Sequence, residues 1–215
     1  EGGEIKLLTP LQDLSKVEIM RMARQLGVPV SATLSCYDPQ AETNGSARVE
    51  PCGQCDACRL RVQAEAKLPT WELRQLDGVE EIVDLRHHYL RQGQPRDSAH
   101  YPDIDDLDTT AHLAVFVDDA LAGCATMHSD ISPSGRCQLR IRGMAVEEGF
   151  RGQGLGAALV RWCQQRALSS GDGIWCNARI RAVSMYARCG FEIVSDEFEI
   201  EKIGRHYRME WKDGE

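Results

Sequence analysis

The most informative pattern in this chain of 215 residues is LRIRGMAVEEGFRGQGLG, residues 139–156. Its first half alternates apolar side chains on odd positions up to Ile141 and on even positions from Met144 onward. Because a strand has a side-chain period of two, this change of parity predicts an inserted residue, a β-bulge near Gly143. Such a bulge would separate the strand from its neighbour and leave backbone amides unpaired.

The second half, RGQGLG at residues 151–156, is a glycine-rich turn that opens a helix. The helix is predicted from an apolar stripe at Leu155, Ala158, Leu159, Trp162 and Cys163. A glycine-rich helix start presents free N–H groups and the positive end of the helix dipole to an anion. The turn also fits a relaxed dinucleotide pattern at Gly152, Gly154 and Ala157, although Asp172, the acid at the right distance, precedes the next strand instead of ending one. A mere tight turn is the other alternative.

The bulged strand followed by this turn resembles the acetyl-CoA site of the GNAT superfamily of N-acetyltransferases. The resemblance implies that the strand's backbone binds the pantetheine arm of acetyl-CoA through Met144, Ala145 and Val146. It also implies that the turn binds the pyrophosphate through Arg151, Gly152, Gln153, Gly154, Leu155 and Gly156.

A second motif agrees with the first. A short strand ends at Asn177, and Ala182, Met185 and Tyr186 follow at helical spacing. This resembles the superfamily's second CoA-contacting motif, which implies that Asn177 contacts the cofactor and that Tyr186 lies beside the CoA sulfur. A phenol there can protonate the departing thiolate. The alternative is that Tyr186 is a core aromatic on an amphipathic helix.

The fold class predicted for residues 69–215 is α/β (α+β), a mixed, mostly antiparallel sheet flanked by helices, as the resemblance implies. A strand at 71–76, a helix at 79–90 and a loop at 92–108 come first. A hairpin of 114–117 and 121–125 follows, and a second hairpin with its turn near Gly204 closes the domain.

The first 68 residues predict a separate, small helical zinc-binding segment. A capping box at Ser15–Glu18 begins a helix, which Gly27 should end. A C-x-x-C-x-x-C run, with a fourth thiol upstream, predicts a closed tetrahedral site for structural Zn²⁺. Its ligands are Cys36, Cys52, Cys55 and Cys58, and a helix is predicted to follow the motif from Leu60 to Lys67. An iron–sulfur cluster and unrelated thiols are the alternatives.

This segment resembles the C-terminal end of 7-cyano-7-deazaguanine synthase, which makes a queuosine-precursor nitrile. The resemblance rests on five stretches: Thr9–Leu11, Ser15–Ile19, Leu26–Pro29, Ser35–Tyr37 and Pro51–Arg61. It implies four zinc ligands at the same four cysteines. That family's ATP-binding loop is absent from the segment, so one alternative is a fragment of a bifunctional protein with an ATP-binding domain upstream.

Composition limits the classes of partner that we expect for this chain. The net charge is −8, and the 17 basic and 24 acidic residues after Leu68 give that part −7, which disfavours nucleic acid as a partner. No apolar run is long enough to span a bilayer, so no membrane partner is expected. Nine cysteines, five of them scattered among apolar neighbours, fit a reduced, cytoplasmic protein.

The predicted function is therefore transfer of an acetyl group from acetyl-CoA to a small-molecule primary amine. The amine must lose a proton, and the sequence does not choose among Glu147, Glu148, His128 and His206 as the base. A non-catalytic CoA-binding sensor is the alternative from another functional class.

Overall fold

The computed structural model describes residues 8–26, 28, 30–41, 49–68 and 70–213. The chain divides into two compact units, residues 1–69 and 70–215. None of the helices within the described ranges is long and apolar enough to cross a membrane.

Within its described residues, the N-terminal unit contains two helices, a 3₁₀ turn and two very short strands. These are α1 (Lys16–Leu26), the turn Val30–Ala32, β1 (Gln40–Ala41), β2 (Val49–Glu50) and α2 (Asp56–Glu65). The predicted capping box is confirmed, because the Ser15 N–H donates to Glu18 Oε2 at 2.7 Å and the Glu18 N–H donates to Ser15 Oγ at 3.3 Å. Gly27, the predicted C-terminal cap, lies outside the described residues.

Helix α2 begins at Asp56, whereas the sequence predicted a start at Leu60. Cys55 is its N-cap residue, and the carboxylate of Asp56 lies in the first turn, where the helix dipole favours negative charge. The cysteine motif therefore continues directly into the helix, and Cys58 lies in its first turn.

The core of this unit is small. Met20, Ala64 and Leu68 are buried, and Val17 and Val30 pack against them. The side chain of Arg61 adds polar ties, since its guanidinium donates to the carbonyl oxygens of Thr33 at 2.6 Å and Val30 at 2.7 Å.

The C-terminal unit is built on one sheet whose strands lie in the order β3-β4-β5-β6-β7-β10-β8, with β9 paired to β10. Its strands are β3 (Trp71–Leu76), β4 (Ala111–Val117), β5 (Ala120–Ser129), β6 (Leu139–Val146), β7 (Ile174–Arg179), β8 (Glu192–Ile193), β9 (Phe198–Ile200) and β10 (Gly204–Trp211). Its helices are α3 (Glu80–Leu90), α4 (Pro102–Asp105), α5 (Leu155–Ser170) and α6 (Ile180–Arg188). Every described pair is antiparallel except β6–β7, which confirms the mixed, mostly antiparallel sheet.

The segment predicted as a loop at 92–108 contains a 3₁₀ turn, Arg96–Ala99, as well as α4. Proline at the first position of α4 suits a helix start, because the missing N–H has no helical partner there anyway. Two such short elements have too few residues for a periodic apolar pattern, so the sequence does not reveal them.

Helices cover both faces of the sheet. One core cluster contains residues of α5 and α6 with odd-numbered residues of β4, such as Leu113. The other contains Ile82 and Val83 of α3 with Ala114 and Cys124. Alternate residues of each strand thus face either the α5–α6 side or the α3 side.

The predicted bulge lies in β6. Pairing with β5 shifts from Cys124↔Ala145 to Thr126↔Arg142, so two residues of β6 oppose one of β5. Gly143, at the shift, has a φ of +56°, which is a left-handed conformation that glycine adopts readily.

Beyond the bulge, β6 and β7 separate. Their parallel pairing ends at Ile141↔Cys176, although β6 continues to Val146 and β7 to Arg179. The candidate active site lies in the gap between these diverging ends.

Candidate active site and metal centre

The gap is bounded on one side by the start of α5. Gly154 is the N-cap residue, with a φ of +86° and no side-chain cap. The first helical hydrogen bond runs from the Ala158 N–H to the Gly154 carbonyl at 3.0 Å. The three N–H groups before Ala158 therefore lack acceptors within the helix, and the first turn holds no acidic residue. This end of α5 suits an anion.

The other residues predicted to hold the cofactor lie around this turn. Gly152 also has a left-handed φ, +75°. Arg151 donates from Nε to the carbonyl of Val146 at 3.1 Å, which links the turn to the end of β6. A Cβ on Gly156 would lie 3.3 Å from Met144 Cε, so Gly156 lets α5 approach β6 closely.

Tyr186 reaches β6 from α6. Its ring is 5 % exposed, and its hydroxyl donates to Met144 Sδ at 3.2 Å. Burial, and next the thiol of Cys176, raise the pKa of Tyr186 well above its usual value. The phenol therefore keeps its proton at neutral pH and points toward a sulfur atom at the gap.

A buried cation supports the bulge from the α3 side. Arg86 is fully buried, and a Cβ on Gly143 would lie 2.7 Å from its Nε. Its Nη1 donates to Asp105 Oδ2 at 2.7 Å, and its Nη2 donates to Thr126 Oγ1 on β5. The bulge thus packs on a guanidinium whose charge Asp105 balances.

Arg86 was not predicted as a site residue, although the sequence carries a signal for it. Arg86 lies four residues after Ile82 and three after Val83, which puts a charged residue on the apolar stripe of α3. A charge at such a position is usually paired when buried.

The α3 side of the gap is polar. Asn177 lies on this face just beyond the last β6–β7 pair, and its buried Oδ1 has no hydrogen-bond partner among the described residues. His128 and His206 are buried on the same face, and burial lowers the pKa of both rings. Of the other two candidate bases, Glu147 is half-buried and Glu148 is exposed, 3.7 Å from Arg151.

The N-terminal unit brings its four predicted ligands together. The sulfur atoms of Cys36, Cys52, Cys55 and Cys58 lie within 4.8 Å of one another. Tetrahedral zinc with Zn–S bonds of about 2.3 Å puts sulfurs about 3.8 Å apart, so the cluster has suitable dimensions. Gly53, inside the motif, has a φ of +73°, which permits the tight turn.

Backbone amides surround these sulfurs. The N–H groups of Asp38 and Cys52 donate to Cys36 Sγ at 3.3 and 3.2 Å. Hydrogen bonds from the backbone of Tyr37 and Cys58 lower the pKa of Cys55 to about 6, whereas burial raises that of Cys58 to about 12. Donors of this kind favour thiolates, which are the form that binds metal.

Residues 79–191 match the sequence model of the Acetyltransferase (GNAT) family. The chain belongs to this family. A relative of the acetyltransferase is the "Uncharacterized N-acetyltransferase YitI" of Bacillus subtilis (strain 168), which is 33 % identical over 135 residues, or 61 % of this chain and 90 % of that one. The acetyltransferase is accordingly an acyltransferase enzyme.

Solved structures share its fold. Arabidopsis thaliana NAA60 in complex with acetyl-CoA superposes with a TM-score of 0.53 at 15 % identity, covering 68 % of this acetyltransferase chain and 100 % of NAA60. This likeness concerns the fold of the C-terminal unit.

The N-terminal unit has different relatives. Residues 1–68 match the model of the Queuosine biosynthesis protein QueC. The 7-cyano-7-deazaguanine synthase of Leptospira interrogans (serovar copenhageni) is 56 % identical over 61 residues, 28 % of this chain and 22 % of the synthase. The acetyltransferase chain thus spans about a quarter of the length of such synthases.

Proposed function

We propose that the C-terminal unit binds acetyl-CoA in the gap between β6 and β7 and transfers the acetyl group to a small primary amine. One observation carries the proposal: the uncapped start of α5, the end of β6 that no longer pairs with β7 and the hydroxyl of Tyr186 all meet at this gap. They supply an anion site, backbone hydrogen-bond groups and a proton donor in that order along one path.

The cofactor's pyrophosphate would bind at residues 151–156. The N–H groups at the start of α5 are its donors, and Gly152 and Gly154 leave room for the phosphates. The pantetheine arm would then extend along Met144, Ala145 and Val146, where β6 has left β7. NAA60, a protein of the same fold, has been solved with acetyl-CoA bound.

The amine would attack the thioester carbon from the α3 side. The N–C bond forms as the C–S bond breaks, and the electron pair of that bond goes to sulfur. Tyr186 donates its proton to this sulfur. The phenol is neutral when the step begins, and its raised pKa means that the proton leaves only as negative charge develops on the thiolate. His128 or His206, both neutral at pH 7, accepts the proton that the amine loses.

The role of the N-terminal unit is structural. Cys36, Cys52, Cys55 and Cys58 would hold one Zn²⁺. Four thiolate ligands leave no open coordination position, so the ion supplies folding free energy and no chemistry.

The test of transfer is acetyl-CoA turnover across small amines, polyamines, amino acids and modified nucleosides, in wild type and Tyr186→Phe. The variant keeps the ring packed edge-to-face on Phe191, with 5.3 Å between centroids, and loses only the donor. We expect turnover to fall by about 10²-fold, with acetyl-CoA affinity and Tm nearly unchanged.

The matched control is Tyr207→Phe. Its hydroxyl donates to the exposed Glu197 at 3.4 Å, whereas that of Tyr186 donates to Met144 Sδ. Equal turnover of both variants would assign Tyr186 to packing alone, and acetyl-CoA binding without transfer to any amine would contradict the proposed reaction.

A further inference from the structure

The α3 side of the gap is positively charged, although the C-terminal unit is acidic overall. After Leu68 the chain has 17 basic and 24 acidic residues. Ile141 and Cys176 point into the core on the α5–α6 side, so their neighbours Arg140, Arg142 and Asn177 lie on the α3 side. A cationic face on an acidic unit indicates a local requirement for negative charge.

Most arginines in this region have partners within the protein. Arg140 pairs with Asp130 at 2.9 Å. Arg179 donates to the carbonyl oxygens of Tyr89 and Leu90, at the C-terminal end of α3. Arg91 donates to the Ser98 carbonyl and the Tyr101 hydroxyl. Their roles in holding the fold are therefore accounted for.

Arg142 differs from all of them. Its guanidinium lies over the ring of Tyr101, 3.9 Å from the centroid, and it has no ion pair or hydrogen bond among the described residues. The side chain is half-buried, and burial and the nearby Arg140 lower its pKa. Asp105, the nearby carboxylate, is already paired with Arg86. A partly desolvated cation without a counter-charge favours binding of an anion.

The position of Arg142 fits an acceptor subsite. It is the first residue beyond the last β6–β7 pair and precedes the bulge directly. Its side chain lies on the opposite face of β6 from Met144, which contacts the Tyr186 hydroxyl. A ligand held by Arg142 would thus reach the gap from the side opposite to α5 and α6.

Two unpartnered acceptors occupy the same face. His128 is 5 % exposed, and its Nδ1 lies 3.1 Å from the Ser129 carbonyl, which assigns the ring proton to Nδ1. Its buried Nε2 then carries a lone pair and has no partner among the described residues. Asn177 Oδ1 is in the same situation. One cation and two hydrogen-bond acceptors complement a ligand that has both an anionic group and an amine.

We propose that the acceptor is an amine that also carries an oxyanion, a carboxylate or a phosphate, and that Arg142 binds this oxyanion. The amino group would lie toward His128 and Asn177. This inference rests on the proposed acetyl transfer and adds the chemical class of its substrate.

The test compares amines in matched pairs with acetyl-CoA in excess. L-Phenylalanine, L-histidine and L-lysine are compared with 2-phenylethylamine, histamine and cadaverine, and O-phosphoethanolamine with ethanolamine. We expect the anionic member of the productive pairs to have a kcat/KM at least about 10²-fold higher. The amino acid pairs test recognition of a carboxylate, and the last pair tests recognition of a phosphate.

Arg142→Gln should raise KM for the anionic acceptor by about 10²-fold and leave KM for acetyl-CoA unchanged, so the anionic member should lose most of its advantage over its neutral partner. Arg142→Lys keeps the charge and should restore part of the loss. Arg205→Gln is the control, because Arg205 is 65 % exposed and pairs with Glu197. It should behave like wild type.

Three results separate the two proposals. Equal kcat/KM within every pair would overturn the anionic acceptor while acetyl transfer stands. Anionic preference that survives Arg142→Gln would overturn the assignment of Arg142 as the residue that binds the oxyanion. If no amine is acetylated, the same amino acids and O-phosphoethanolamine are titrated calorimetrically into coenzyme A-saturated protein. Binding that is lost in Arg142→Gln supports the anion subsite although the reaction fails. Binding that this substitution does not affect overturns the subsite too.

Discussion

The two units of this chain are stabilised by different means. In the N-terminal unit the described core cluster has three buried residues, whereas the main core of the C-terminal unit has eighteen. The small unit instead brings four cysteine sulfurs within 4.8 Å of one another. A segment of this size buries too little apolar surface to fold readily by that alone, and the proposed Zn²⁺ would supply a cross-link in its place. The larger core, by contrast, tolerates a buried ion pair beside its bulge.

Removal of the proposed zinc ion should produce the largest difference in stability between the two units. Apparent binding free energies of structural zinc are about 10–16 kcal/mol, more than a small unit's total stability. We expect chelation, or Cys36→Ser, to abolish amide protection in the N-terminal unit and to leave the C-terminal unit protected, as measured by hydrogen exchange on the full chain.

The control is Cys189→Ser, which alters a half-buried thiol outside the cluster. It should leave protection in the N-terminal unit intact. Uniform loss of protection in both units after chelation would show that they do not fold independently, and the contrast between them would fail.

Breaking the buried ion pair between Arg86 and Asp105 tests whether apolar burial alone stabilises the larger unit. Arg86→Met leaves the Asp105 carboxylate buried without its partner, and both side chains are fully buried. We expect the free energy of unfolding to fall by about 3–5 kcal/mol. Urea denaturation of the full chain, followed through tryptophan fluorescence, measures the change.

Arg96→Met provides the comparison within the same unit. Arg96 pairs with Asp84, and both side chains are more than half exposed. Its loss should leave the free energy of unfolding nearly unchanged, because solvent screens the pair. Similar losses from the two variants would mean that Arg86 contributes no more than a surface charge.

Substitutions at the two ends of α5 should distinguish an effect on folding from an effect on acetyl-CoA binding. Gly154 and Gly171 cap the helix with similar left-handed φ values, +86° and +74°. Valine at either position should strain the backbone by about 1–2 kcal/mol. Only Gly154→Val should weaken acetyl-CoA binding, by about 10²-fold, because only its Cβ would lie in the phosphate site.

Calorimetric titration with acetyl-CoA, together with the Tm of each variant, measures both effects. The proposed phosphate site would be wrong if Gly154→Val and Gly171→Val bound acetyl-CoA equally well.

Local chemistry explains what the sequence could predict. The parity change around Gly143 predicted the bulge because side-chain alternation depends only on neighbouring residues. Ser15 and Glu18 predicted a helix start for the same reason. The spacing of the last three cysteines, C-x-x-C-x-x-C, likewise brings their sulfurs toward one point within a short stretch of chain.

Other features depended on residues far apart in the chain. Asp105 is nineteen residues from Arg86, and Thr126 is forty. No periodic pattern relates such residues, so the sequence showed an arginine on an apolar stripe without its partner. The start of α2 inside the cysteine motif was missed because glycine and cysteine positions there resemble a loop.

By itself, the sequence determined the order of the longer strands and helices, the bulged strand, the glycine turn at α5 and the four-cysteine cluster, because each depends on backbone preferences and spacings within a short segment. Only the tertiary structure decided which charges lack a partner. Arg140 and Arg142 are two residues apart on one face of β6, yet Asp130 neutralises the first and only Tyr101 covers the second. That difference comes from where distant loops pack, since burial and the pairing of charges are set by the whole fold and not by neighbours along the chain.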